Sequence, residues 1–320
     1  MQVTILGTGA FGLALGNLLH EKSKADIVFW TAFEEEYLEI TNNNTYDRVL
    51  TGIELASNLD VTMDLSIALN NSDLIIVAVP CNHVREVLTK IEGYLTENSR
   101  VILVSKGLEK ETDLLMTEIY EELGLKGQVS YLAGPTFAKE LIINSKAGLT
   151  LATKDEKTKE LILKLFKDTN VEIEEIDDYI GLELYGVIKN VLAILMGSLS
   201  SKYRGDSTNA YYLTKIYNFA KDLVTKLGGK ESTSTCYGAL GDILLTCNSK
   251  TSRNYSYGVL LYTNKNEAEV YKKHYTVEGS IAITSLTKLL RKNNQTSEFL
   301  EKLTEYFNGT ISLDEVLELF

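Results

Sequence analysis

Residues 3–6, Val-Thr-Ile-Leu, run directly into Gly7-Thr8-Gly9-Ala10-Phe11-Gly12 and from there into the helical pattern of residues 13–20. A β-rich run, a G-x-G-x-x-G turn and a helix in that order restrict the chain strongly, because the three glycines have separate steric duties. The first makes a tight turn, the second lets the backbone approach a pyrophosphate, and the third lets the helix pack on the strand. The unbonded N–H groups and the dipole at the helix start then favour an anion. The motif and its placement point to dinucleotide binding in a βαβ unit, with Gly7, Gly9, Ala10, Phe11 and Gly12 facing the cofactor. A glycine turn that binds no nucleotide is the plainer alternative.

The alternation continues. Residues 27–30, 74–79, 101–104, 130–133 and 149–152 read as strands, with 172–176 as a last one, and longer helical patterns separate them. Several of these runs are continuously apolar, as a parallel sheet covered on both faces requires. From about residue 181 the pattern changes to helices at 182–199, 209–227, 236–246, 252–262 and 281–291, followed by two closing helices. The expected fold is α/β, with an N-terminal Rossmann-type parallel-sheet domain over 1–180 and an all-α C-terminal domain over 181–320. Asp177 and Asp178 close the last β run at the boundary. A chain of 320 residues has room for two domains, since single cores stop growing at about 250–300 residues.

Composition excludes several classes of function. With 44% hydrophobic and 24% charged residues the chain is globular rather than disordered, and its net charge of -12 disfavours nucleic acid and anionic membrane. An anionic substrate would have to be held by local cations. Cys81, Cys236 and Cys247 lack paired spacing, and only His20, His83 and His274 are present, so neither a disulfide framework nor a metal site is expected. No basic segment precedes the N-terminal apolar run, unlike a signal peptide. A reduced, cytoplasmic setting is the expectation.

One stretch resists a purely structural reading. Residues 184–199, LYGVIKNVLAILMGSL, form an apolar run interrupted by Lys189 and Asn190. At about 16 residues it falls short of the roughly 20 that span a bilayer, so a protein core is the better setting and no membrane insertion is expected. A buried ammonium must be paired, and Asp242, alone in the apolar run GALGDILL, poses the complementary problem. Pairing the two resolves both costs, as a structural ion pair or as something chemical. Gly186, Ala193 and Gly197 share the lysine's stripe, which suits either a small ligand or the close approach of another helix. Further on, Thr251 and Ser252 are good N-caps, so Ser252, Arg253 and the helix start form either an anion site or an ordinary cap beside a surface arginine.

No lysine or arginine lies between Lys24 and Arg48, and Glu34, Glu35 and Glu36 follow the second strand. That pattern favours NAD(H), whose ribose 2′-hydroxyl is held by an acid, and leaves NADP(H) open as a second cofactor.

Taken together, the blocks GTGAFG, AVPCNHVREVL, SKGLEKET, LAGPTFAKE, ELYGVIKNVLAI, GDSTNAYYLTK, GALGDILLTC, SKTSRNYSYG and VEGS occur in an order that closely resembles the soluble, bacterial-type NAD(P)-dependent glycerol-3-phosphate dehydrogenases over essentially the whole chain. The resemblance implies reversible hydride transfer between the nicotinamide and C2 of dihydroxyacetone phosphate, giving sn-glycerol 3-phosphate for glycerophospholipid synthesis. Lys189 is similar to the family's catalytic lysine, Asn190 to a substrate-positioning residue, and Asp242 to the acid that orients the lysine. Lys106 resembles a lysine that reaches into the site and also meets the cofactor. Gly134 and Thr136 fall at lining positions, and Ser252, Arg253 and Asn254 at positions that hold substrate. Ala138, Arg253, Val277 and Glu278 fall at cofactor positions. A homodimer is compatible with the resemblance. Departures are Thr31-Ala32 where a small residue and an arginine are usual, absent prolines near 47–56, and Tyr185 where a small residue is usual.

Such a mechanism needs a positive group near the developing alkoxide and a proton to give it, and Lys189 can supply both. Oxidation needs the neutral amine, so its rate is expected to rise towards alkaline pH. Two other readings stand beside this one: a lysine-dependent dehydrogenase of a hydroxyacid or sugar acid, which needs a further cation for the carboxylate, and a non-catalytic nucleotide-binding regulator.

Overall fold

Val3, Ile5 and Leu6 are fully buried, as a strand covered on both faces must be. In the computed structural model, which describes residues 1–320, they belong to β1 (Gln2–Leu6). It lies in an eight-stranded sheet with β2 (Asp26–Trp30), β3 (Asp60–Thr62), β4 (Leu74–Val77), β5 (Arg100–Leu103), β6 (Gln128–Ala133), β7 (Ala147–Ala152) and β8 (Val171–Ile176). The spatial order is β3-β2-β1-β4-β5-β6-β7-β8. Strand order therefore reverses beside β1, which has β2 on one side and β4 on the other. In open α/β sheets, ligands bind outside the carboxyl ends of the strands at such a reversal, and the glycine turn follows β1 at that end.

β1 to β6 are joined in parallel, but β7 runs antiparallel to β6 and β8 then runs parallel to β7. The sheet is predominantly parallel, as expected from the apolar runs, with this one antiparallel joint. Chain length gives the reason. The helix between β6 and β7, Ala138–Ile142, has five residues and spans only about 7.5 Å, too little to carry the chain back along a six-residue strand of about 20 Å. The chain therefore enters β7 from the end where it left β6. Between β7 and β8 the helix Glu156–Phe166 has eleven residues and makes a full return. β3 is not anticipated by the sequence reading either. It is a three-residue edge strand with an exposed Asp60 and a single buried residue, Val61, so no periodicity announces it.

The strands and their helices make one compact unit, Met1–Lys106 with Met116–Tyr179. Its core gathers Val3, Ile5, Phe29, Ile76, Ile102 and Leu132 from the sheet with Leu15 and Leu18 from the helix Ala10–Lys22. Helix and sheet touch closely: a Cβ on Gly16 would lie 2.2 Å from Phe29 Cζ.

The second unit is Ile180–Phe320 together with Gly107–Leu115. A single division at 180/181 placed residues 107–115 with the sheet. They pack instead with the helices, where Lys292 Nζ donates to Thr112 O at 2.5 Å and pairs with Asp113 at 3.5 Å. The helix Tyr179–Lys202 forms the centre, and every residue from Gly181 to Leu199 on it is buried. This helix is long and apolar enough to cross a membrane by composition alone, yet 94% of its most apolar window is buried inside the protein. A helix apolar on all sides belongs in a core.

Around it stand the helices Asp206–Lys226, Asp242–Asn248, Arg253–Thr263, Lys265–His274, Glu278–Lys292, Glu298–Phe307 and Leu313–Leu317. The single helix expected over 236–246 is a π turn over Tyr237–Gly241 followed by the Asp242–Asn248 helix, with a 3-10 turn over Glu231–Thr235 before them. The π turn contains Gly238 and Gly241, and glycine lowers the preference for a regular helix there. The Lys265–His274 helix is absent from the expected set, and only Ala268 is buried on it, so no apolar periodicity marks it. Its sign in the sequence is Asn264, whose side chain caps the helix by accepting from Glu267 N.

The small-residue stripe beside Lys189 serves helix approach. A Cβ on Gly197 would lie 2.1 Å from Tyr255 O, and one on Gly258 would lie 1.9 Å from Ile194 O. The Tyr179–Lys202 and Arg253–Thr263 helices thus meet backbone to backbone, with Ser198 Oγ donating to Gly258 O at 2.8 Å.

Candidate active site

In the first unit the glycine turn has the three geometries its spacing implies. Gly7 has φ of 108°, and a Cβ there would lie 2.8 Å from Val79 Cγ1 and 2.9 Å from Ala78 O, so both conformation and space require glycine. Its N–H donates to Trp30 O at 2.9 Å, fastening the turn to β2. Gly12 is pressed on the turn, with a Cβ placed 2.5 Å from Gly7 O. Gly9, the helix N-cap, differs: the nearest atom to its Cβ position is Ala78 O at 3.8 Å. The fold itself does not need glycine at position 9. A ligand phosphate brought close to bare backbone does, so these residues fit a dinucleotide, with Ala10 and Phe11 in the first helical turn.

Further along the same unit, Lys106 Nζ donates to Gly134 O at 3.3 Å. Gly134 is wedged against β7, where a Cβ would meet Gly148 O at 2.4 Å. Its carbonyl also accepts from Thr136 N at 3.0 Å, while the Thr136 hydroxyl is buried with no hydrogen-bond partner. Such a group costs about 1–3 kcal/mol unless a ligand or water satisfies it. Ala138 opens the Ala138–Ile142 helix directly after this loop.

In the second unit, Lys189 Nζ lies 2.8 Å from Asp242 Oδ1 and 3.1 Å from Thr246 Oγ1. Lys189 is 8% exposed and Asp242 1%. Two of the ammonium's three donors are used, which leaves one for a substrate oxygen. Asp242 and Thr246 are four apart on one helix and so face the same way. Thr246 was not singled out from sequence, although that spacing from Asp242 was its signal. Next to it, Cys247 is fully buried; burial pushes its thiol far above the ordinary range, against the pull of Lys189.

A second polar chain holds Asn190. Its Nδ2 donates to Glu278 Oε2 at 2.9 Å, and its Oδ1 accepts from Asn254 Nδ2 at 3.0 Å. Asn254 Oδ1 in turn accepts from Gly279 N at 2.9 Å. Three helices are tied at one point, and Gly279 permits it, since a Cβ there would lie 2.3 Å from Asn190 O. Ser252 caps the Arg253–Thr263 helix by accepting from Tyr255 N, and Arg253 is exposed at its first position. Val277 is buried as the N-cap of the Glu278–Lys292 helix. Tyr185 packs in the core at 1% exposure.

Residues 2–159 match the model of the NAD-dependent glycerol-3-phosphate dehydrogenase N-terminus, and residues 178–318 match that of the C-terminus. The chain belongs to this family. A relative from Fusobacterium nucleatum, named glycerol-3-phosphate dehydrogenase (NAD(P)+), is 32% identical over 99% of this chain and 96% of its own length. One of the same name from Parvibaculum lavamentivorans is 31% identical over 99% and 95%. Among solved structures, the glycerol-3-phosphate dehydrogenase of Coxiella burnetii superposes with a TM-score of 0.88 at 26% identity, covering 99% of this chain and 98% of that one. As a member of the glycerol-3-phosphate dehydrogenase family the chain is an NAD(P)-dependent oxidoreductase with a Rossmann-type N-terminal part and a helical C-terminal part.

Proposed function

We propose that the chain reduces dihydroxyacetone phosphate reversibly to sn-glycerol 3-phosphate, with Lys189 as the proton donor and acceptor. The observation that carries this reading is a buried ammonium fixed by Asp242 and Thr246 with one donor to spare. The nicotinamide, when bound, supplies or takes up the hydride at C2. Reduction leaves negative charge on the C2 oxygen. Lys189 stabilises that charge electrostatically and gives it a proton, while Asp242 keeps the ammonium in place. In the oxidative direction the neutral amine takes the hydroxyl proton.

Gly7, Gly9, Ala10, Phe11 and Gly12 would hold the pyrophosphate, with Lys106, Ala138, Arg253, Val277 and Glu278 as further cofactor contacts. The substrate phosphate is a dianion and needs local cations in a chain of net charge -12. Arg253, whose fork of donors matches a phosphate, and the helix start capped by Ser252 meet that need. Gly134, Thr136, Asn190 and Asn254 would orient the carbon chain, with the unpartnered Thr136 hydroxyl as a natural hydrogen-bonding group. Lys106 completes the set. The reading further includes a cytoplasmic homodimer that supplies glycerophospholipid synthesis, and a division into domains near residue 180.

A substrate panel tests the reaction. With NADH, dihydroxyacetone phosphate should be reduced, and unphosphorylated dihydroxyacetone and 2-keto acids should be poor substrates. Reduction of a keto acid without reduction of dihydroxyacetone phosphate would select the hydroxyacid reading. Cofactor binding without turnover on any of them would select the regulator.

A further inference from the structure

Between Lys250 and Lys292 the chain carries eight lysines and arginines against three glutamates, although carboxylates outnumber cations 44 to 32 over the whole sequence. Four of those cations gather at one end of a helical hairpin. The Arg253–Thr263 and Lys265–His274 helices are joined by Asn264 alone, and Tyr271 on the second reaches back to the start of the first. Burial and Tyr275 raise the pKa of its hydroxyl, and the Arg253 charge and a hydrogen bond with Ser256 oppose them. The last turn of one helix, with Lys272 and Lys273, therefore lies beside the first turn of the other, with Arg253, which Lys250 precedes by three residues. Lys272 and Lys273 also line one hollow with Val277 and Ser280, where the Glu278–Lys292 helix begins. Two helix N-termini thus add their positive potential at this end. Lys250, Arg253, Lys272 and Lys273 are all exposed, and none has a carboxylate partner. Elsewhere exposed lysines do find one, as Lys90 does in Glu86 at 2.7 Å and Lys157 in Glu160 at 3.0 Å.

We propose that Lys272 and Lys273 steer the phosphorylated substrate, drawing the dianion in by their field without binding it, while Arg253 and the helix start capped by Ser252 hold it. The proposal rests on the reading of the chain as a dehydrogenase of dihydroxyacetone phosphate. A dianion that approaches a protein of net charge -12 is repelled on average, and a mouth lined by one sign of charge reverses that locally. Exposed lysines suit this task. A hydrated ammonium on a flexible stem fixes no geometry, yet its charge acts over about a Debye length, about 10 Å at 0.1 M salt. The neighbouring carboxylates leave the two lysines unpaired: Glu269 stands four residues before Lys273, a spacing at which helical ion pairs form, without making one, and Glu278 accepts from Asn190 Nδ2 at 2.9 Å. The plainer role for Lys272 and Lys273 is to complement the dipole at the end of their own helix. That role would leave the kinetics untouched.

Steady-state rates with dihydroxyacetone phosphate at saturating NADH separate these roles when ionic strength is raised from about 0.01 M to about 1 M, which shortens the screening length from about 30 Å to about 3 Å. Wild-type kcat/KM should fall by about tenfold or more across that range. In the double variant Lys272→Gln, Lys273→Gln it should be about three- to tenfold below wild type at the low end and equal to wild type at the high end, with kcat unchanged throughout. Reversing the charges in Lys272→Glu, Lys273→Glu should square the low-salt factor, since each site then changes by two charges instead of one. A lower Tm with unchanged kcat/KM would leave only the helix-end role and overturn the proposal. A deficit that persists at high salt, the mark of direct contact with the phosphate, would overturn it too, as would a loss in kcat. Wild-type protein that does not turn over would bring down the dehydrogenase reading and this inference together. Turnover with kcat/KM independent of salt would bring down the inference alone.

Discussion

Lys189 and Asp242 come from two helices 53 residues apart in sequence, and their charged atoms lie 2.8 Å apart in the helical core. Each charge makes the other's burial tolerable, so removing one partner should hurt more than removing both. Lys189→Met or Asp242→Leu alone should cost about 3–5 kcal/mol, because each removes the ion-pair partner of a buried charge. The double variant should recover much of that loss. Chemical denaturation of the four proteins checks it, and strictly additive losses would show that the pair is not coupled.

Thr246 holds the ammonium through a hydroxyl 3.1 Å from Nζ. It acts through Lys189 and is a positioning residue. Thr246→Val should cost about 1 kcal/mol of stability or less, the worth of one ordinary hydrogen bond, yet lower kcat by about tenfold with little change in KM. Thr246→Ser should restore most of the rate. A loss confined to KM would contradict the positioning role.

Gly258 tests the packing that builds the site. An added methyl would lie 1.9 Å from Ile194 O, which is backbone on a buried helix and has no room to yield. Gly258→Ala should therefore destabilise by at least about 1–3 kcal/mol, the usual range for overpacking. Thermal unfolding measures it; an unchanged Tm would mean that the two helices are not in backbone contact.

Asp155 links the first unit's stability to pH. Burial alone would raise its carboxyl, but hydrogen bonds from Thr158 N and Oγ1 and from Arg100 Nε outweigh that and hold it below the ordinary carboxylate range. A carboxyl depressed in the folded state stabilises above its unfolded value, and that stability is lost as pH falls through the folded one. Asp155→Asn keeps a capping side chain and loses the charge, so it should cost about 1 kcal/mol at neutral pH. The gap to wild type should close in acid. A gap that persists below the carboxylate range would show that the charge is not its source.

How much of this was readable in advance depends on how local each signal is. The glycine turn, the apolar strands and the Lys189 and Asp242 complementarity are carried by single residues or short runs, and all three can be seen in the sequence. The antiparallel entry into β7 was hidden because it follows from the shortness of one five-residue helix rather than from any apolar pattern. β3 and the Lys265–His274 helix each bury a single residue, so periodicity had nothing to act on. Glu36 could be placed after the second strand, but the hydrogen bonds that it accepts from Thr8, Thr31 and Tyr46 depend on residues that only the fold brings together. Likewise the small-residue stripe beside Lys189 suited a ligand or a helix equally well, until Gly197 was seen against Tyr255 O.

The most direct measurement of the central claim is the loss of reduced-nicotinamide absorbance with dihydroxyacetone phosphate, for wild type and Lys189→Met, alongside NADH binding by both. Wild type should turn over, and the variant should bind NADH while losing at least about 100-fold in kcat, the usual contribution of a positioned proton donor. Variant turnover within a few-fold of wild type would contradict the account and leave Lys189 as a buried structural cation.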